Sequence, residues 1–229
     1  MNEQRVADEL ADAAIAEIKS GMVVGLGTGR TAARGICALG ERVRAEQLDI
    51  KCVATSEAAE LLAKEVGLNT IDFAMIERLD YLFDGADEVD RQARLLKGSG
   101  GAMTRERMVA WASSRVVYMV HAQKLVKRLG TNTTLGIAIM AYGVTSIRAE
   151  LRNLGVNGVC RRNIDGKLFI TDNGNLILDV SLGDQNLEEL AAALNAIPGV
   201  IDHGLFLTEA DEILVEKKNG IERLIRPES

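Results

Sequence analysis

Cysteine, histidine and long apolar runs are all scarce in this chain, and each scarcity removes a class of function. The three cysteines, Cys37, Cys52 and Cys160, are far apart and form neither a CxxC pair nor a disulfide framework. They read as buried, reduced thiols. The two histidines, His121 and His203, have no companion ligands at metal spacing, so no metal site is expected. No apolar stretch reaches the length of a membrane-spanning helix, and no membrane partner is expected. Positive charge is not clustered either: 27 lysines and arginines are scattered among 33 acids, for a net charge of −6. That disfavours nucleic acid as a partner. An anionic metabolite, held by local amides and one or two cations, remains compatible with it. The opening residues, MNEQRVADELADA, are acidic and amphipathic, unlike a leader peptide, so a cytoplasmic location is expected.

What is present is an ordinary globular composition, 47% hydrophobic and 26% charged over 229 residues. Val6, Leu10, Ala14 and Ile18 recur at helical spacing up to Ser20-Gly21. Met22–Leu26 reads as a buried strand entering a glycine-rich turn. A second helix follows, with Ala32, Ile36, Leu39 and Val43 on one face. Then come a strand near Cys52–Ala54, a helix over Ser56–Val66, and strands near Thr70–Phe73 and over Tyr81–Phe83. This alternation predicts an α/β fold with a Rossmann-like, largely parallel sheet and helices on both faces.

After Gly130 the pattern changes. A strand near Leu135–Met140, a helix over Ser146–Leu154, strands Lys167–Thr171 and Leu176–Val180, a helix over Leu187–Ile197 and a strand near Val200–Phe206 spell β-α-β-β-α-β. That is the order of a small α+β, ferredoxin-like domain, with Asn173-Gly174 as a hairpin signal. Glu212–Ile225 alternates like strands. The expected organisation is a Rossmann-like domain over 1–130 and 210–229, with a small domain inserted over 131–209.

Four segments could carry chemistry. Gly25–Thr31 (GLGTGRT) joins a strand to a helix, where glycines let backbone approach an anion and the helix end offers free N–H groups. Arg30 stands where a dinucleotide fingerprint would have glycine or alanine, so phosphate is favoured over NAD; a plain tight turn is the alternative. Ala54–Ala58 (ATSEA) offers Thr55 or Ser56 as a helix cap, which explains it without a ligand. Asp84–Asp90 (DGADEVD) places carboxylates at the C-terminal end of a strand, where open α/β sheets hold ligands; a solvated acidic turn is the alternative. So many acids in one bend suggest a cation or sugar hydroxyls, yet no second cluster of oxygen ligands supports magnesium. Leu95–Glu106 (LLKGSGGAMTRE) reads as strand, glycine loop and helix start. Glu106 there is either part of a cap or a general base beside free amides that could stabilise an oxyanion. Lys97 is a natural partner for a sugar oxygen or an aspartate.

Together, GLGTGxTA, the TSE-AAELLAKEVGL helix, DGADEVD and LLKGSGGAMTRE resemble the ribose-5-phosphate isomerase A family, as do ITDNGNLILDV and LNAIPGVIDHGLF downstream. The resemblance implies interconversion of ribose 5-phosphate and ribulose 5-phosphate through an enediolate, without metal or nucleotide cofactor. It gives Glu106 the place of the base, and Asp84, Asp87 and Lys97 the places of groups that assist ring opening and hold sugar oxygens. Gly27, Thr28, Gly29, Arg30, Thr31 and Lys124 fall where substrate and its phosphate are held, and Gly98, Ser99, Gly100 and Gly101, the loop beside the base, are expected to bind substrate too. A homodimer or homotetramer is implied too. Residue chemistry agrees: C1/C2 isomerisation by proton transfer needs one base and donors for the enediolate oxygens. A hydride shift would need a metal cluster.

The chain departs from the family pattern mainly on the phosphate side. Arg30 replaces a frequent serine, Ala7 and Asp8 stand near a frequent lysine, and His121 replaces an expected aspartate. Thr131–Gly136 replaces a proline-rich stretch, and Ser99 interrupts a glycine run. Arg30 is expected to supply the missing cation, since guanidinium binds phosphate through paired donors. An isomerase for another phosphorylated sugar is the alternative. A non-catalytic sugar-phosphate sensor is a further one, disfavoured by the absence of a DNA-reading module.

Overall fold

The computed structural model describes residues 8–227. In chain order the elements are α1 (Glu9–Ile15), β1 (Val23–Leu26), α2 (Arg30–Glu46), β2 (Lys51–Ala54), α3 (Glu57–Glu65), β3 (Tyr81–Asp84), β4 (Glu88–Val89), β5 (Leu95–Leu96) and α4 (Met103–Ala112). They continue as β6 (Val116–His121), β7 (Leu135–Ile139), α5 (Val144–Asn153), β8 (Val159–Cys160), β9 (Leu176–Val180), α6 (Leu187–Ala196), β10 (Val200–His203), β11 (Leu205–Phe206), β12 (Glu212–Lys217) and β13 (Gly220–Ile225). Val6, the first member of the expected helical stripe, lies outside the described residues.

The chain forms two compact units: one takes the chain up to Gly85, Val109–Ala122 and the chain from Ala210, and the other takes Ala86–Met108 and Gln123–Glu209. The sequence placed a boundary at 130/131, whereas compactness assigns 86–108 and 123–130 to the second unit.

The first unit is built on a six-stranded sheet of order β13-β12-β6-β3-β1-β2, parallel except for β13 at the edge. Tyr81–Asp84 and Val116–Val120 are buried throughout, the near-continuous apolar pattern of strands covered on both faces. α1, α2 and α3 pack Leu10, Ile15, Ile36, Leu39 and Ala59 against Val24, Leu26, Phe83 and Met119 in one core. Ser56 caps α3 through its hydroxyl, accepting from Ala59 N. The strand expected over 70–73 reduces to a single bridge from Thr70 to Cys52. Asp72 then accepts from Ala74 N and opens a 3-10 turn over Phe73–Met75, which ends the extended run. Cys52 is buried and its thiol is pushed up to about 12 by that burial, but Cys37 is exposed, correcting the expectation for that residue.

The second unit carries a four-stranded antiparallel sheet of order β10-β7-β9-β8, with α5 and α6 supplying buried Ile147, Leu151, Leu190 and Leu194. Numbered within this sheet, the strand order is 4-1-3-2, a ferredoxin-like arrangement. Its second strand is Val159–Cys160, however, and not 167–171, where only isolated bridges Arg162↔Leu168 and Ile170↔Leu176 form. Leu168-Phe169-Ile170 is a short apolar run, yet Leu168 and Ile170 are exposed and have no face to bury. The turn expected at Asn173-Gly174 does form, with Gly174 at φ +78°. A smaller sheet, β11-β5-β4, carries the Lys97 loop. Gly204, between β10 and β11, must lack a side chain: a Cβ there would lie 2.0 Å from Lys97 O.

Candidate active site

In the first unit, the turn after β1 is held by the carboxylate that ends β3. Asp84 is fully buried, and its Oδ1 accepts N–H groups from Thr28 at 2.9 Å and Gly85 at 2.7 Å. Gly27 is required there, because a Cβ would fall 2.2 Å from Asp84 Oδ1. Gly29 turns the chain at φ +95° and caps α2, so Arg30 and Thr31 open the helix with its first N–H groups free of intrahelical partners. The Thr28 hydroxyl bonds Thr55 Oγ1 at 2.7 Å and Ser56 Oγ at 2.8 Å. Thr55 and Ser56, read from sequence as a cap alone, therefore also fix the lip of this turn. Arg30 is exposed and has no bonded partner among the described residues.

In the second unit, Lys97 and Glu106 form a buried pair with Nζ 3.3 Å from Oε1; their side chains are 3% and 7% exposed. Glu106 sits in the first turn of α4, where the helix end favours a carboxylate, and its N–H bonds Ala102 O at 3.0 Å. Between the two runs the glycine loop, with Gly98 at φ +107° and Gly101 at φ +79°, conformations that favour glycine. Asp87 Oδ2 accepts the N–H of Ser99 at 2.8 Å, tying DGAD to that loop. Lys124 closes a 3-10 turn over Ala122–Lys124, half-buried.

The acidic run divides into different tasks. Glu88, buried, accepts backbone N–H groups from Gly130, Thr131, Asn132 and Thr133. Asp90, buried, accepts from Gln92 N, Arg94 N and the Arg94 guanidinium. The expectation that a cation or sugar hydroxyls must meet this many acids is corrected: backbone amides and Arg94 meet two of them. Among the described residues no group of three or more histidines, cysteines and carboxylates is arranged to hold a metal ion.

A model of the family described as ribose 5-phosphate isomerase A (phosphoriboisomerase A) matches residues 51–220. The chain belongs to that family. Ribose-5-phosphate isomerase A of Gluconobacter oxydans is 43% identical over 97% of this chain and 95% of its own. That of a Roseiflexus species is 40% identical over 99% and 98%. Among solved structures, ribose 5-phosphate isomerase A from Methanocaldococcus jannaschii superposes with a TM-score of 0.90 at 36% identity, covering 95% of this chain and 96% of that one. A D-ribose-5-phosphate isomerase in complex with phospho-erythronic acid gives the same TM-score at 34% identity and the same coverage.

Two departures from the isomerase A pattern meet in one cluster. Asp8 caps α1 and binds Arg34 Nε and Nη2, each at 2.7 Å. Glu216 receives the same guanidinium at 2.8 and 3.1 Å, and its Oε2 lies 2.5 Å from His121 Nδ1. Two carboxylates hold the Arg34 guanidinium further toward its charged form, and the guanidinium in turn holds Glu216 below the usual carboxylate range. Asp8 and His121 thus belong to an ion network that pins α1 to α2 and β12. Similarly, Thr133 gives Glu88 an N–H that proline could not.

Proposed function

We propose that this chain interconverts D-ribose 5-phosphate and D-ribulose 5-phosphate, moving one proton between C2 and C1 through an enediolate. The buried Lys97–Glu106 pair beside a glycine loop is the observation that carries this reading. Glu106 takes the C2 proton of the open-chain aldose, and the carboxylic acid so formed exchanges with solvent before it delivers a proton to C1. Lys97 and the loop amides stabilise the oxygens that gain charge in between. Asp84 and Asp87 assist ring opening and hold sugar hydroxyls, with Asp87 also fixing the loop through Ser99 N. The Gly27–Thr31 turn, Arg30 and Lys124 take the phosphate. No metal or nucleotide is needed for these steps. We further propose a cytoplasmic homo-oligomer, on the family resemblance alone; among the described residues no helix is long and apolar enough to cross a membrane.

A second reading, isomerisation of a different phosphorylated sugar, is favoured by one observation: an exposed arginine opens α2 where the family pattern has serine. Ketose formation from ribose 5-phosphate, arabinose 5-phosphate and unphosphorylated ribose, with a chelator present, distinguishes them. The primary reading expects ribose 5-phosphate to be the best substrate by kcat/KM, and preference for another sugar phosphate overturns it. Arg30→Ala is expected to raise KM about tenfold with kcat little changed, because a phosphate contact is made equally in ground and transition states. An unchanged KM removes Arg30 from the site.

A further inference from the structure

The geometry points to Arg161 as a positioning residue that aims an amide of the glycine loop at the developing oxyanion; this inference rests on the isomerase reading above. Arg161 follows β8 and its side chain is only 14% exposed. Nε and Nη2 bind the two oxygens of Asp179 on β9, at 3.0 and 2.5 Å. That paired contact fixes the guanidinium plane. The remaining nitrogen, Nη1, donates to Gly98 O at 2.7 Å and Ser99 O at 3.0 Å, two successive carbonyls of the loop. Other groups shape the same corner. The Arg161 guanidinium lies 5.7 Å from the centre of the Phe169 ring, and a Cβ on Gly101 would meet that ring at 2.5 Å. Gly136 on β7 leaves room for Nη2, which a Cβ would approach to 3.1 Å.

Peptide planarity turns these contacts into a direction. In a trans peptide the carbonyl and the following N–H point opposite ways. Carbonyls of Gly98 and Ser99 drawn towards Arg161 therefore send the N–H groups of Ser99 and Gly100 away from it. The first of these is seen to arrive at Asp87 Oδ2, at 2.8 Å. The second, on exposed Gly100, has no protein acceptor among the described residues. A cation bound to the carbonyl of the same peptide polarises that N–H and makes it a stronger donor. Gly100 N–H is thus the open, preoriented donor of the loop, and Arg161 with Asp179 holds it so. Lysine cannot replace this arrangement, because one ammonium cannot grip both carboxylate oxygens and still span two carbonyls.

The test compares wild type with Arg161→Ala, Arg161→Lys and Asp179→Asn. It reads kcat and KM for ribose 5-phosphate, the inhibition constant of phospho-erythronic acid, and the thermal unfolding midpoint. Phospho-erythronic acid is the probe because its carboxylate presents two oxygens as an enediolate does. Both Arg161 variants are expected to lose about ten- to a hundredfold in kcat, below the 10²–10³ that loss of an oxyanion donor itself costs. KM should change by no more than about twofold, with inhibitor affinity falling alongside kcat. Added guanidinium ion should restore part of the activity of Arg161→Ala. Arg161→Lys and Asp179→Asn keep the test open if the alanine variant does not fold. A lowered midpoint with kcat and inhibitor affinity at wild-type levels overturns the inference and leaves Arg161 a structural residue. A wild-type chain that fails to isomerise ribose 5-phosphate overturns the function proposed above instead, and is read before any variant.

Discussion

A methyl group on Gly27 would lie 2.2 Å from Asp84 Oδ1 and 2.4 Å from Asp84 Cα, with no flexible side-chain end to yield. Gly27→Ala is therefore expected to lower stability by about 1–3 kcal/mol, as overpacking does. It should also raise KM for the sugar phosphate, since the turn it displaces is the proposed phosphate site. Chemical denaturation and steady-state kinetics on one preparation check both effects, and a variant with unchanged KM would separate the turn from phosphate binding. His203 sets a pH dependence. It is buried, its Nδ1 accepts from Leu205 N at 3.2 Å, and burial with Arg107 nearby lowers its pKa from 6.5 to about 4. A folded-state value below the unfolded one means that the unfolded chain binds the extra proton first. His203 therefore costs stability progressively as pH falls from about 6.5 towards 4, by a few kcal/mol at most. The neighbouring Asp202, raised by burial, acts in the opposite sense. His203→Gln should flatten the fall of the unfolding midpoint between pH 7 and 5, and an unaltered slope would rule His203 out. At this scale the sequence disclosed which residues carry charge and not what meets them. Asp84, Asp87, Glu88 and Asp90 stand in one run, but only folding delivers four backbone N–H groups to Glu88 and Arg94 to Asp90.

Helices and the buried strands β1 and β3 are readable because their signals are local, whereas β6, buried along Val116–Val120, is not among the expected elements. The stripe Ala32, Ile36, Leu39 belongs to α2, and the run Tyr81–Phe83 belongs to β3. Two expected strands do not form: the apolar run Leu168-Phe169-Ile170 is not backed by burial, with Leu168 and Ile170 exposed, and Asp72 redirects the chain after Thr70. β8 escaped notice because a two-residue strand at a sheet edge has no period to detect. α1 is short for a free-standing helix and depends on its cap and on Arg34. Asp8→Ala removes both the bond to Ala11 N and the pairing with Arg34, and should cost about 1–2 kcal/mol. High salt should shrink only the ionic part of that loss. A denaturation midpoint equal to wild type would show that Glu216 alone suffices to hold Arg34.

Across the whole molecule, the fold class followed from the order of elements, whereas the compact units did not. β5 pairs with β11 through Leu96↔Leu205, a contact between segments over a hundred residues apart that no local pattern announces. Such pairing draws Lys97 and the glycine loop into the second unit. The proposed base, Glu106, was legible as a carboxylate in a first helical turn, but its buried partner Lys97 gives that carboxylate chemical meaning. The most direct test is therefore isomerisation of ribose 5-phosphate in deuterated water, followed by proton NMR, for wild type and Glu106→Gln. Proton transfer by Glu106 predicts solvent deuterium at C1 of the ribulose 5-phosphate formed by wild type. It also predicts a kcat lower by about 10²–10⁴ in the variant, the usual contribution of a general base. A Glu106→Gln enzyme that turns over near the wild-type rate, or a wild-type product that carries no solvent deuterium, would contradict the account.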